Sequence, residues 1–434
     1  MFASPGRRGF SVFWLLPFLL LSITVLLVVP PAHAGKKVTV DGVLHVQNSD
    51  TPSEGREKLM LEEVWRIGGD DEEGLLLAMV PEVCGDEQGN IYVLDAQLCQ
   101  VHVFSPEGEL LRTIFRQGEG PGETLRPRDM VITKDGVGVV EEFPAKIIMV
   151  DRTGLPTDNI RPVGEDEAGG NLGTLIAAEY GAANLVVSGT EISRSDKPGV
   201  QDRVNFLASF SAAGEERARY CEAKTFYDLN DMRFNENEHT PSFWWGFTVD
   251  RQGNVYVAVD REAYAISVFK PDGTLDRVIE RTFEPYTRTE SEKKRMHDLI
   301  ESALGETPFE VKIGIEDNEP VVDFFHRGLR VDDDGNLWVT SSRGVRDHTD
   351  GAMLTYDVFD PEGNYRKQVA VMCEGNSYHD CLFWVSKDQV VLVTGAMAAL
   401  AAQFGGGAAL DSDEEEATPQ EIICYNVRHS SQTN

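Results

Sequence analysis

Two pairs of neighbouring polar residues carry side chains that could do chemistry. His326 and Arg327 lie just ahead of a glycine turn, with His326 nine residues before Gly335. His379 and Asp380 stand at a similar distance from the next comparable turn. A neutral imidazole can bind a metal ion, and a protonated one can hold an anion. If the two pairs occupy equivalent positions of a repeated unit, their side chains should converge on one place.

The same offset, counted along the rest of the chain, adds further residues to this set. The complete set of candidate binding residues is Glu82, Arg128, Trp245, His326, Arg327, His379 and Asp380. Such a mixture of charges and an indole could hold a small anion, a sugar or a metal ion. The alternative interpretation is that these residues form a hydrated polar surface, and that Trp245 is a packing residue of the core.

The elements that would position these residues form a sequence repeat. Three segments begin with the turn motif Asp-x-x-Gly-Asn, at Asp86, Asp250 and Asp332, and continue into an apolar run. Each ends in Phe-x-Pro-x-Gly, a second turn. Aspartate can accept hydrogen bonds from turn amides, and glycine supplies the positive φ that a tight turn needs. Self-similarity of this kind is typical of a repeat architecture.

Each repeat predicts a four-stranded antiparallel meander, which is the blade of a β-propeller. Weaker copies cover residues 132–154, 184–214 and 385–427, which brings the number of blades to six. The last blade lacks a fourth strand, because only seven residues follow Val427. The apolar segment 59–67 has no partners of its own, so we expect it to close the ring by completing blade six. Closure leaves no unpaired sheet edge around the ring.

Composition and local motifs predict the rest of the domain organisation. Residues 1–34 predict a signal peptide, 35–58 a linker, 59–428 the all-β propeller and 429–434 a tail. Within the propeller, residues 284–325 predict a helical insertion, because Thr289 to Glu292 form a capping box ahead of an apolar pattern with helical spacing. Residues 405–420 are rich in glycine and acidic residues and predict a surface loop.

The N-terminal segment predicts export. Arg7 and Arg8 precede an apolar run, which ends in two prolines and Ala32-His33-Ala34. This order is typical of a cleaved secretory signal, so we expect a periplasmic or extracellular protein. The apolar run is also long enough to remain as a membrane anchor. In an oxidising compartment, Cys373 and Cys381 could form a disulfide across the short connection between blades five and six.

The charge of the chain excludes some partners. The full chain has 40 basic and 72 acidic residues, a net charge of −32. Residues 1–34 contain two of the arginines and no acidic residue, so the mature chain has 38 basic against 72 acidic residues, or −34. A field of this sign repels nucleic acid and anionic lipid. Nucleic acid is therefore not an expected partner, and a membrane is expected only through the N-terminal segment if it stays uncleaved.

The motifs together resemble a known family. The segment Gly118-Glu119-Gly120-Pro121-Gly122-Glu123, with the two turn motifs, resembles the bacterial six-bladed propellers of the NHL-repeat and TolB-like type. The resemblance implies the fold, whereas its members include ligand binders, protein-interaction modules and metal-dependent enzymes.

Two hypotheses for function follow. The first is an exported, non-catalytic binding or scaffold propeller that recognises a small molecule or a protein at the channel mouth or the adjoining face. The alternative, implied by NHL-type lyases, is a metal-dependent lyase or hydrolase. In that case His326, His379 and a third histidine, His239, would hold a divalent metal ion. No other cofactor is expected.

Overall fold

The computed structural model describes residues 1, 35–69, 75–163, 172–305, 310–323, 325–403 and 420–428. The expected signal peptide, the acidic loop up to residue 419 and the tail lie outside these described residues. No helix within them is long and apolar enough to cross a membrane.

The described residues form six antiparallel meanders, preceded by an N-terminal segment. This segment contains β1 (Lys36–Val40), β2 (Val43–Asn48) and β3 (Arg56–Gly68). Blade one contains β4 (Glu82–Gly85), β5 (Ile91–Asp95), β6 (Gln100–Phe104) and β7 (Leu110–Ile114), and the short β8 (Arg116–Gln117) and β9 (Glu123–Thr124) follow it. Blade two contains β10 (Pro127–Ile132), β11 (Val137–Glu141) and β12 (Lys146–Val150). Blade three contains β13 (Leu172–Gly181), β14 (Asn184–Arg194), β15 (Val200–Phe210) and β16 (Glu216–Asp228).

The second half of the ring carries the helices. After β17 (Arg233–Asn235), α1 (Glu236–His239) and a 3₁₀ turn (Ser242–Trp244), blade four contains β18 (Phe247–Val249), β19 (Val255–Ala258), β20 (Ala265–Phe269) and β21 (Leu275–Arg281). Next come α2 (Glu290–Leu304) and β22 (Lys312–Gly314). Blade five contains β23 (Leu329–Val331), β24 (Leu337–Thr340), α3 (Ser342–Arg346), β25 (Leu354–Phe359) and β26 (Tyr365–Met372). Blade six contains β27 (Cys381–Trp384), β28 (Gln389–Val393), α4 (Ala396–Gln403) and β29 (Glu421–Arg428).

The first strand of each blade lines a central channel. The strands β4, β10, β13, β18, β23 and β27 occupy this position, and β4 contacts both β10 and β27, while β13 contacts both β10 and β18. The apolar residues of the later strands pack between neighbouring blades. We call the end of the channel at which these first strands begin the mouth, and the opposite end, at which the Asp-x-x-Gly-Asn turns lie, the turn end.

The turn motif works as its residue types predict. The Asp86 carboxylate accepts hydrogen bonds at 2.9 Å from the backbone amides of Gln88 and Asn90. Gly89 has a φ of 83°, which glycine adopts without strain. The aromatic residue of the following strand also binds the aspartate, since the Tyr92 hydroxyl donates to it at 3.1 Å. Blade five repeats this arrangement, with the Trp338 indole donating to Asp332 at 2.9 Å.

The prediction that the N-terminal segment closes the ring is confirmed. Strand β3 pairs antiparallel with β29, in a register that joins Leu61 to Val427 and Ile67 to Ile422. Trp65 is buried against blade one, and its indole donates a hydrogen bond at 3.0 Å to the carbonyl of Pro106. The first residues of β3 also pair in parallel with β26, so that blades five and six share one continuous eight-stranded sheet.

The structure differs from the expected linker at residues 35–58. Strands β1 and β2 form a hairpin there, and β2 pairs in parallel with β21, the outer strand of blade four. Asp41 and Gly42 form its two-residue turn with φ values of 49° and 86°, and Val46 is fully buried. An Asp-Gly pair between alternating apolar residues is a strong hairpin signal. Residues 36–48 therefore belong to the sheet of blade four.

The helical insertion forms as expected. Thr289 and Glu292 make the capping box of α2, and Gly305 ends the helix with a φ of 68°. The buried face of α2, centred on Ile300, packs with Tyr227 and Phe234 in a small separate core. We call β17, α1, α2 and β22 the cap. The insertion that contains α2 leads directly into the first strand of blade five, so the cap adjoins the mouth.

Buried ion pairs attach the cap to the ring. Glu236 of α1 pairs with Arg288 at 2.7 Å and with Arg261 of blade four, and all three side chains are nearly fully buried. Burial raises the pKa of Glu236, but Arg288 and Arg261 outweigh it and hold this pKa below its usual range.

The expected disulfide is not formed in the structure, where all six cysteines are free thiols. The Cys373 sulfur lies 3.8 Å from the sulfur of Met353. The Cys381 sulfur instead faces the carbonyl of Phe325 at 3.8 Å.

Candidate functional site at the channel mouth

An ion cluster crosses the channel near its mouth. Arg327 immediately precedes the first strand of blade five, and its Nη2 forms ion pairs with both Glu82 of blade one and Asp129 of blade two. The two carboxylates are almost completely buried, whereas the Arg327 side chain keeps 27% of its surface exposed. One guanidinium therefore links blade five to two blades across the channel.

Hydrogen bonds between neighbouring blades hold the acidic side chains. The Asp129 carboxylate accepts hydrogen bonds from the backbone amide of Met130 at 2.7 Å and from that of Ala178, in blade three, at 2.8 Å. Glu179 of blade three accepts from the Val249 amide of blade four at 2.9 Å. The carboxylates are thus anchored in place by the backbone, which leaves little freedom for rearrangement.

The cluster has more acids than bases, and burial shifts its titration. Burial raises the pKa of Glu82 to about 8, with Arg327 opposing and Asp129 adding to the rise. Burial likewise raises the pKa of Glu179 to about 7, against the attraction of Arg327. Burial alone would lower the pKa of Arg327, but Asp129 and Glu82 hold it above its usual range. The cluster therefore exchanges protons near neutral pH and keeps its arginine charged.

The cluster opens into a cavity of about 290 Å³ that extends from the mouth along the first strands as far as Gly85 and Val385, beside the turn end. This volume lies at the lower end of the range for small-molecule sites. Its polar lining includes Glu82, Cys84, Glu179, Thr248, Arg327 and Arg330. Burial raises the pKa of the Cys84 thiol well above its usual value, so this thiol is protonated and a poor nucleophile.

Of the residues expected at the mouth, the structure brings Glu82 and Arg327 into direct contact. Arg128 points elsewhere and pairs with Glu142 at 2.7 Å. The cause is a β-bulge between Pro127 and Asp129, which shifts the register by one residue. Asp129 consequently takes the place that the sequence offset gave to Arg128.

Glu179 was missed for a different reason. Blade three lacks the Asp-x-x-Gly-Asn turn from which the offset was counted, and β13 and β14 are joined by the short turn Ala182-Ala183. The run from Asn184 to Val187 aligns with the start of the second strand in the other blades. Counting back from this run, instead of from the missing turn motif, would have located Glu179. Glu179 pairs with Val186, the second residue after the asparagine.

Trp245 is a packing residue. Its ring meets that of Trp244 edge-on at 5.6 Å, and both pack against the core between blades three and four. Trp245 is not among the residues that line the cavity.

His326 connects two loops at the mouth. Its Nδ1 lies 2.8 Å from Asp323, and its Nε2 lies 3.2 Å from the carbonyl of Asp380. Burial raises the pKa of Asp323, but His326 outweighs it and the net shift is downward. With both ring nitrogens engaged by oxygen atoms, His326 has no lone pair directed at the cavity.

His379 and Asp380 stabilise the connection between blades five and six. The His379 carbonyl accepts from the Met397 amide at 3.0 Å. The Asp380 carboxylate accepts from the amides of Asn376 and Gly395, both at 2.8 Å. These contacts place both residues at the mouth in a structural role.

The histidines expected to hold a metal ion do not form a centre. His239 lies in the cap, where it binds the backbone of Asn235 at 3.0 Å and stacks on Phe234 at 5.3 Å. Among the described residues, the one group of ligand side chains that lies close enough to hold an ion is His297, Asp298 and Glu301 on α2, which includes none of these three histidines. The residues His326, His379 and His239 therefore do not fit a zinc site of the kind found in NHL-type lyases.

Comparisons with known proteins agree with the fold. A family model described as "6-bladed beta-propeller" matches residues 69–160. No curated protein sequence matches the chain significantly.

Solved structures resemble the chain at low identity. A DUF4221 family member from Bacteroides vulgatus is 9% identical, with 86% of this chain and 100% of that chain covered and a TM-score of 0.44. Virginiamycin B lyase from Staphylococcus aureus is 8% identical, with 86% and 100% covered and a TM-score of 0.40. The calcium-binding protein regucalcin from Agrobacterium tumefaciens is 12% identical, with 86% and 96% covered and a TM-score of 0.35.

Likenesses of this size say nothing about ligand or activity. The six meanders, the ring closure by β3 and the family match over blades one and two agree with one another. The chain is a six-bladed β-propeller of the all-β class.

Proposed function

We propose that this protein is an exported, non-catalytic binding propeller whose central channel takes a small ligand with a positively charged nitrogen. The observation that carries the proposal is the excess of acid in the ion cluster beside the cavity, where three carboxylates share one guanidinium. Arg327 pairs with Glu82 and Asp129 and also attracts the charge of Glu179, so the fully ionised cluster has a net charge of −2.

An ammonium group would complement this arrangement. It has no acceptor lone pairs and donates up to three hydrogen bonds, which matches a site rich in carboxylate oxygens. An isolated anion is a poor ligand for the cluster, because Arg327 already pairs with two carboxylates. The protonated Cys84 and the fully engaged His326 favour binding over catalysis.

The metal-dependent alternative has less support. It required three convergent histidines, and His326 has both nitrogens occupied. A protein partner at the face beside the cap remains a prediction without a specific contact in its favour.

The test is calorimetric titration with small amines. The wild-type protein is titrated with ethylamine, ethanolamine and putrescine at about pH 8.5, above the raised pKa values of both glutamates. The Glu82→Gln, Glu179→Gln double variant removes two negative charges and should weaken binding by about tenfold or more, as each interaction with a charged group is worth about 1.5–3 kcal/mol.

Glu142→Gln is the matched control. Glu142 lies next to the mouth on blade two but pairs outside the cavity with Arg128. Its substitution should leave amine binding unchanged. Equal affinity of the double variant and the wild type, or absence of binding by all three amines, would overturn the proposal.

A further inference from the structure

The cavity contains a second, oppositely charged group. Arg330 of β23 lines the cavity, and its guanidinium lies over the ring of Trp384 at 4.0 Å and near that of Trp338 at 5.6 Å. Within the described part of the chain, Arg330 has no carboxylate within ion-pair distance and no hydrogen-bond partner. Arg330 is half-buried, and it lacks an acidic partner although the protein has a net charge of −32.

Stacking prepares Arg330 to bind an oxyanion. The two indoles, one from each of blades five and six, hold the guanidinium plane by cation–π contact. They use its faces and leave its N–H groups, which lie in the plane, for a ligand. A planar fork of donors matches the two oxygens of a carboxylate or phosphate.

Arg330 and Glu179 lie at the same depth in the channel. Arg330 pairs with Trp338, the second residue after Asn336, and Glu179 pairs with Val186, the second residue after Asn184. Thr248 holds the equivalent position on blade four, between them, because it pairs with Tyr256. All three line the cavity, yet Glu179 and Arg330 are not paired with each other. The cavity therefore presents an acidic and a basic wall, separated by a hydroxyl.

We infer that Arg330 and its tryptophan platform form a subsite for the oxyanion end of the ligand, so that the channel binds a small zwitterion with an ammonium and a carboxylate or phosphate group. The ammonium half of this inference rests on the proposed function, whereas the Arg330 subsite rests on its own contacts. A cavity of 290 Å³ equals about ten water volumes, enough for a molecule of amino-acid size.

The experiment compares ligands that differ only in their charged ends. Wild-type protein is titrated with n-alkylamines, alkanoates and ω-amino carboxylates from glycine to 6-aminohexanoate, with binding read by calorimetry and tryptophan fluorescence. We expect one ω-amino carboxylate to bind at least about tenfold more tightly than the alkylamine of equal length, the gain of one added charged hydrogen bond. O-phosphoethanolamine, compared with β-alanine, distinguishes a phosphate from a carboxylate.

Arg330→Met keeps the length and packing of the side chain and should abolish that tenfold gain. Arg203→Met is the matched control, because Arg203 also stacks on an aromatic ring, Tyr227 at 4.1 Å, but does not line the cavity. It should preserve the gain.

The outcomes separate the two proposals. If amines bind but no chain length shows a gain, or the gain survives Arg330→Met, the Arg330 subsite is wrong and the proposed function stands. If alkanoates bind through Arg330 while amines do not bind, the subsite stands and the proposed function fails. If no ligand of the series binds, both are overturned.

Discussion

The two ends of the ring differ in how strictly their residues repeat from blade to blade. At the turn end, blades one, four and five repeat the same contact, in which an aspartate accepts from the amides two and four residues later. At the mouth, the position of Glu82 is occupied by Asp129 in blade two, Gly246 in blade four and Cys381 in blade six. The repeated turns stabilise the scaffold, whereas the first strands assemble the site, from the mouth inward, out of side chains that each occur once.

The largest expected effect concerns closure of the ring. Deletion of residues 56–68 removes β3, which belongs to the sheet of blade six and also pairs with blade five. We expect this variant to lose cooperative thermal unfolding in calorimetry. Deletion of residues 36–48 removes only a hairpin on the edge of blade four and should lower Tm while folding persists. Similar losses from both deletions would contradict closure by β3.

Arg327→Met sharpens the comparison at the mouth. Removal of one partner from a buried ion pair costs about 3–5 kcal/mol, because the other charges stay buried and unpaired. Urea unfolding should show a smaller loss near pH 5.5, where Glu82 and Glu179 are protonated, than near pH 8.5, given their pKa values of about 8 and 7. A loss that does not change with pH would argue against the cluster.

The two glutamates should also impose a pH dependence on the wild type. Their pKa values in the folded protein, about 8 and about 7, lie above the ordinary value of 4.5. Between pH 4.5 and these raised values, the folded state therefore keeps protons that the unfolded state has already released. The free energy of unfolding consequently falls as pH rises from about 5 to 8. We expect a decline on the order of 5 kcal/mol.

The Glu82→Gln, Glu179→Gln variant resembles the protonated form at every pH and should lose most of that decline. Chemical denaturation at several pH values measures it, and Glu142→Gln provides the control. A decline of unchanged slope in the double variant would assign the pH dependence to other groups.

The smallest expected effect lies at the turn end. Asp250→Ala and Asp332→Ala each remove an acceptor of turn amides and should cost about 1–3 kcal/mol in urea unfolding. Because the two turns make the same contacts, the two losses should be nearly equal. A difference of more than about 2 kcal/mol would show that the turn end is less uniform than its sequence.

The contrast between the two ends also explains what sequence reasoning could reach. The turn residues and β3 were predictable, because their partners follow from local motifs and from strand counting. The hairpin at residues 36–48 carried a readable signal in Asp41-Gly42, and its assignment as a linker was wrong. The position of Asp129 depends on the β-bulge after Pro127, which shifts the strand register by one residue. No local sequence motif marks such a bulge.

Glu179 and Arg330 were out of reach for a related reason. Each is a single charged residue in an otherwise apolar strand, and its role depends on which blades face it across the channel. That information lies in the closed ring, so sequence offsets within one blade could not supply it.

We propose above that the ion cluster of Arg327 binds a positively charged nitrogen at its carboxyl groups. The most direct test is calorimetry of ethanolamine binding near pH 7 in two buffers of different ionisation enthalpy, which gives the number of protons released. With pKa values of about 8 for Glu82 and about 7 for Glu179, these two carboxyl groups together carry more than one proton near pH 7 and must ionise to hold an ammonium group. The account predicts release of about one proton per ligand in the wild type and almost none in the Glu82→Gln, Glu179→Gln variant. Binding without proton release, or equal release by the variant, would contradict it.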